Sequence, residues 1–110
     1  MENKSEELVQ RIRAAVSPWT PHITEKRMFG GYCTLYKGKM VVGETRERLM
    51  VRVVSEKMEE IMQNPFVTLM DFTGKPMKEF IFVSERGFDT DEKLQQWVEL
   101  GIEHAILKSQ

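Results

Sequence analysis

A single cysteine, Cys33, leaves this chain of 110 residues with no internal disulfide to form, which agrees with a reducing compartment. Histidine is almost as scarce. His22 and His104 lie far apart, neither belongs to an HxxH or HExxH pattern, and Cys33 has no CxxC partner, so the usual ligand spacings for zinc are missing. The chain also lacks an excess of either charge: 16 basic and 17 acidic side chains give a formal charge of −1, without the basic surplus on which nucleic-acid binders draw. No run approaches the roughly 18 apolar residues of a membrane span. Met1 is followed at once by Glu2, Asn3, Lys4, Ser5 and Glu6, with no apolar segment of signal-peptide length. A cytoplasmic protein without a membrane partner is expected.

What is present is a globular composition, 41% apolar and 30% charged, with no linker, repeat or low-complexity tract, so residues 1–110 are read as one domain. Leu8, Val9, Ile12, Ala15 and Val16 recur at helical spacing over Asn3–Val16, with Asn3 and Glu6 spaced as a capping box. Pro18 and Pro21 end that helix, and Trp19 is expected to fold back on the core. Strands follow at Ile23–Phe29, Tyr32–Tyr36, Lys39–Gly43 and Leu49–Val54. Gly30-Gly31 predicts a bulge or sharp bend and Lys37-Gly38 a tight turn, so these strands read as an antiparallel meander. Ser55 is expected to cap a short helix to about Met62, stopped by Asn64-Pro65. Phe66–Phe72 and Met77–Val83 flank the turn-forming Thr73-Gly74-Lys75-Pro76 as a second hairpin.

Asp89 with Glu92 is expected to cap a last helix reaching about Lys108, with Leu94, Trp97, Val98, Ile102, Ala105 and Ile106 as its apolar stripe. Gly101 within it costs roughly 1 kcal/mol against alanine, tolerable where the backbone must lie close to the sheet. The fold class is therefore α+β: an antiparallel sheet, meander plus hairpin, with N-terminal, middle and C-terminal helices packed on it.

Few residues offer chemistry. Cys33 would need a base and a pKa pulled below about 8.5 to act as a nucleophile, and a lone cysteine in a strand reads instead as a small buried apolar residue. Ser5, Ser17, Ser55 and Ser84 lie outside any GxSxG context, and Gly30, Gly31 and Gly38 outside any phosphate-binding pattern. Glu56, Glu59, Glu60, Asp89, Asp91 and Glu92 read as solvated helix faces and caps, His22 as a surface residue and His104 as half-exposed. No catalytic residue, metal or cofactor is expected. Of the eight methionines, Met28, Met40, Met50, Met58, Met62, Met70 and Met77 read as core filler. The segment 26–52 has a basic cast, with Phe29, Tyr32 and Tyr36 interleaved among its cations. From it Lys26, Arg27, Tyr36, Lys37, Lys39 and Arg48 are the candidate binding surface, for an acidic partner or nucleic acid.

Arg27-Met28-Phe29-Gly30-Gly31-Tyr32, followed by Tyr36, the Gly38-Lys39-Met40 turn and Leu49–Val53, resembles the opening of the TfoX N-terminal domain family. Phe82-Val83, the Ser84–Asp91 loop and Leu94–Trp97 are similar to that family's closing segment, so the likeness runs from about Thr24 to Lys108. It implies an α+β domain of bacterial proteins, among them regulators of natural DNA competence that act on transcription with a cyclic-AMP receptor protein. It implies no catalytic residues, and marks Arg27, Met28, Phe29, Gly30, Gly31, Tyr32 and Gly38 as the structural signature. The full-length regulators carry a further C-terminal domain. The functional expectation is a non-enzymatic, cytoplasmic regulatory or protein-interaction domain. The alternatives are nucleic-acid binding by the basic-aromatic segment and, remotely, a thiol-dependent enzyme. Self-association through an open sheet edge is left open.

Overall fold

The computed structural model describes residues 4–28, 30–71 and 76–108. Asn3 of the expected capping box, Phe29, and Phe72 with the Thr73-Gly74-Lys75 turn lie outside the described residues. Helix α1 (Lys4–Ala15) is followed by a 3-10 segment, Ser17–His22, and then by strands β1 (Ile23–Met28), β2 (Gly31–Tyr36), β3 (Lys39–Thr45) and β4 (Arg48–Arg52). Next come α2 (Ser55–Ile61), the strands β5 (Val67–Asp71) and β6 (Pro76–Val83), a second 3-10 turn (Glu85–Phe88) and α3 (Asp91–Lys108). Among the described residues the sheet has six antiparallel strands in the order β1-β2-β3-β4-β6-β5. The α+β class and the meander-plus-hairpin sheet are thus as the sequence predicts. The meander forms because its strands are joined by short turns: Lys37 and Gly38, both at positive φ (50° and 84°), reverse the chain between β2 and β3. The crossover through α2 delivers β5 to the sheet edge, and its hairpin partner β6 fills the place beside β4.

Alternation along the strands divides the core into two layers. One face carries Val42, Leu49, Val51, Ile81 and Val83, which pack with Leu8 and Ile12 of α1 and with Leu94, Val98 and Ile102 of α3. The other face buries Cys33, Leu35, Met40, Met50, Met70, Phe80 and Phe82, with Met28 partly buried against them. Strand β4 is enclosed on both faces, as Leu49, Met50 and Val51 are all fully buried. Trp19 packs against the helix-side core as expected.

Several local expectations are corrected. The N-cap of α2 is Val54 rather than Ser55, with no side-chain cap bond of its own; the Ser55 N–H and hydroxyl both donate to the carboxylate of Glu79 on β6, at 3.2 and 2.6 Å. A distant carboxylate thus takes the free donors that a local cap would have taken. At α3 the cap is Thr90, whose Oγ1 accepts from Lys93 N at 3.1 Å, while Asp89 pairs with the Lys93 ammonium at 3.0 Å. Ile106 is exposed and leaves the apolar stripe, and His104 is fully buried rather than half-exposed. His22 is exposed as expected. Gly30 makes the expected sharp bend between β1 and β2, while the register shifts among the described strands fall between Leu69 and Asp71 of β5 and between Thr34 and Leu35, opposite Met40–Val42, where one extra residue enters β3. A Cβ at Gly101 would collide with the carbonyl of Val41 there, so the glycine does let α3 lie directly on the sheet.

Candidate functional site

The cross-strand row Arg27–Tyr32–Glu44–Leu49–Val83–Val67 lies on the helix-bearing face of the sheet. Its second half is roofed by the helices. Towards β1 the roof runs out, and a cleft of about 440 Å³ opens between α1 and the strands. Val9, Gln10 and Arg13 line it from α1; Arg27, Gly30, Gly31 and Tyr32 line it from the first hairpin, and Glu44 and Arg46 from the end of β3.

The wall of this cleft depends on two glycines used differently. Gly30 turns the chain between β1 and β2 at φ +71°, and its carbonyl accepts a hydrogen bond from Thr45 Oγ1 at 3.2 Å. Gly31 has ordinary φ, but a Cβ there would overlap the Glu44 carbonyl, so the hairpin can lie against β3 only without a side chain. Beyond Thr45, Arg46 and Glu47 reverse the chain at φ 50° and 66°, a left-handed pair without glycine. The turn is held from inside: buried Glu44 accepts the Glu47 N–H at 2.9 Å through Oε2.

Charge is unevenly matched. Arg13 donates two hydrogen bonds to Glu25, at 2.8 and 3.0 Å, and this fork, with a smaller contribution from the Tyr32 hydroxyl, holds the Glu25 carboxyl below its usual range. The Tyr32 ring is flanked by two guanidiniums, Arg13 at 5.8 Å and Arg27 at 5.4 Å from its centroid. Among the described residues neither Arg27 nor Arg46 has a carboxylate within ion-pair distance.

The structure separates the six residues of the expected surface. Arg27 lines the cleft. Lys26 pairs with Cys33 in the ladder and so projects on the opposite face. Tyr36, Lys37 and Lys39 gather at the far end of β2, where the Lys37 ammonium lies 5.6 Å from the Tyr36 ring and His22 meets that ring edge-on. Arg48 is stacked on Phe82 at 3.8 Å and Arg52 on Phe80 at 4.8 Å, covering the second core layer. Of the signature, Gly30, Gly31, Tyr32 and Arg27 meet at the cleft, Met28 packs on the second layer, and Gly38 serves the distant turn. Arg13 and Glu44 escaped the sequence reading because only packing brings α1 and the end of β3 to the hairpin. The one local signal was Arg13 at the border of the apolar stripe.

Elsewhere the geometry argues for structural roles. The Cys33 thiol is fully buried, donates to the Met28 carbonyl at 3.6 Å, and is pushed up to about 11 by burial. Ser55, Glu79 and His104 form a chain in which both the hydroxyl and His104 Nε2, 3.0 Å away, address the carboxylate. The histidine therefore does not reach the serine, and the order is not that of a nucleophile with its base. His104 first, then Ser55, draw the Glu79 carboxyl down to about 2. Glu79 itself adopts φ 66°. Among the described residues no three His, Cys, Asp or Glu side chains are grouped to hold a metal, and no helix is long and apolar enough to cross a membrane.

No curated protein matches the chain. The family model of the TfoX N-terminal domain matches residues 6–105, extending the likeness through α1 and so across both walls of the cleft. The chain belongs to the TfoX N-terminal domain family.

Proposed function

We propose that this domain is a non-enzymatic regulatory module that acts by binding a protein partner in the cytoplasm, with the hairpin cleft as its contact surface. One observation carries the reading: Arg27, Gly30, Gly31 and Tyr32 converge on an open cleft in which the Arg27 and Arg46 guanidiniums have no carboxylate partner among the described residues. The resemblance to competence regulators points the regulation towards transcription. The scatter of Lys26, Lys37, Lys39 and Arg48 over two faces and both ends of the sheet favours a compact protein contact over a continuous nucleic-acid track.

The test is affinity capture from the native cell with the wild-type domain and an Arg27→Glu/Arg46→Glu variant that melts normally. A partner identified with the first and lost with the second supports the reading. Salt-sensitive retention on DNA, abolished by replacing Arg27, Lys37 and Lys39 with glutamate, would replace it with the nucleic-acid alternative.

A further inference from the structure

We infer that the cleft is a carboxylate-recognition site: it receives an acidic side chain, Asp or Glu, carried by an otherwise uncharged segment of the protein partner. The inference rests on the reading of the cleft as the contact surface and specifies what enters it. Three features lead there.

First, the cleft separates used from unused cations. Arg13 is consumed by its fork to Glu25, whereas Arg27 and Arg46 line the same cavity with no ion-pair partner among the described residues. Second, both are presented by shaped backbone. Arg27 is one residue before the close of β1 and stacked on the Tyr32 ring, and Arg46 is held in a left-handed turn fastened by Glu44. The Arg27 guanidinium, already stacked, loses less side-chain freedom on binding, and the planar fork of each arginine matches a carboxylate. Third, the surroundings set a limit on the ligand. Glu6 and Glu44 line the same cleft, Glu25 stands beside Arg13 and Glu47 follows Arg46. Each negative charge placed among these carboxylates is disfavoured, so a polyanion extending past the two arginines is penalised repeatedly and a single carboxylate on a neutral segment least. The Tyr32 ring and Val9 give such a segment apolar surface to rest on.

The probe is a blocked tripeptide, acetyl-Ala-Glu-Ala-amide, compared with its Gln counterpart, inorganic phosphate and a short single-stranded oligonucleotide. The Glu peptide is expected to bind more tightly than all three. Arg27→Gln and Arg46→Gln should each weaken it roughly five- to tenfold, while Lys37→Gln leaves it unchanged and all variants melt like the wild type. Equal binding of the Glu and Gln peptides overturns the inference, as does a preference for phosphate or the oligonucleotide. Capture from the native cell separates the two levels. If an identified partner survives both arginine substitutions, protein binding stands and carboxylate recognition falls. If the wild type captures no partner, protein binding itself falls.

Discussion

At the scale of single residues, the two adjacent glycines should respond differently to the same substitution. Gly30→Ala places a Cβ at positive φ with its nearest neighbour, Thr45 Oγ1, 3.9 Å away, so only backbone strain of about 1–2 kcal/mol is expected. Gly31→Ala drives a Cβ into the Glu44 backbone and should cost roughly 3 kcal/mol or more. Denaturant midpoints for the two variants check this; equal losses would contradict the close approach. Glu79 supplies a pH signature. Its folded-state value of about 2 lies below the ordinary 4.5, so its stabilisation is fully present above pH 4.5 and is lost as pH falls towards 2. Glu79→Gln should therefore cost on the order of 2 kcal/mol near neutrality and progressively less below pH 4.5. A gap independent of pH would show that the carboxylate is not held by His104 and Ser55. The glycine pair was legible in the sequence because glycine restricts the reasons for its presence. Glu79 was not: nothing local to Lys78-Glu79 reveals a positive φ or partners 24 and 25 residues away.

At the scale of elements, periodicity located each described α-helix and strand to within a few residues, since each buries one apolar stripe or alternates between two layers, while the two 3-10 segments read only as a proline break and a loop. The ends were harder to read, because caps are decided by single hydrogen bonds. Thr90→Ala, which removes the bond to Lys93 N, should cost about 1 kcal/mol. Asp89→Ala removes an exposed i,i+4 pair and should cost only about 0.3–0.5 kcal/mol. Thermal unfolding of both variants decides which residue caps α3. Gly101→Ala sets two effects in opposition: helix propensity favours alanine by about 1 kcal/mol, while the collision with the Val41 carbonyl costs about 1–3 kcal/mol. Packing against a backbone atom cannot be relieved by a rotamer change, so a net loss of stability is expected. Strand order was the other part left unread, since the pairing of β6 with β4 depends on where the α2 crossover delivers β5.

At the scale of the whole molecule, a chain of net charge −1 still presents a pair of guanidiniums, Arg27 and Arg46, with no ion-pair partner among the described residues. Folding produces this imbalance: Glu25 is assigned to Arg13 and Glu44 to the Glu47 N–H, leaving Arg27 and Arg46 facing the cleft. Composition gave no hint of it, because the site takes its walls from α1, the first hairpin and the end of β3. The signature hairpin was visible in sequence as glycines and an arginine; its opposite wall was not. The most direct measurement of the central claim is a map of backbone amide shifts as acetyl-Ala-Glu-Ala-amide is titrated into the domain. Saturable shifts centred on Gly30, Gly31, Tyr32 and Arg46, absent with the Gln peptide, are expected. Shifts centred instead on the Tyr36–Lys39 turn, or spread without a centre, would contradict the claim.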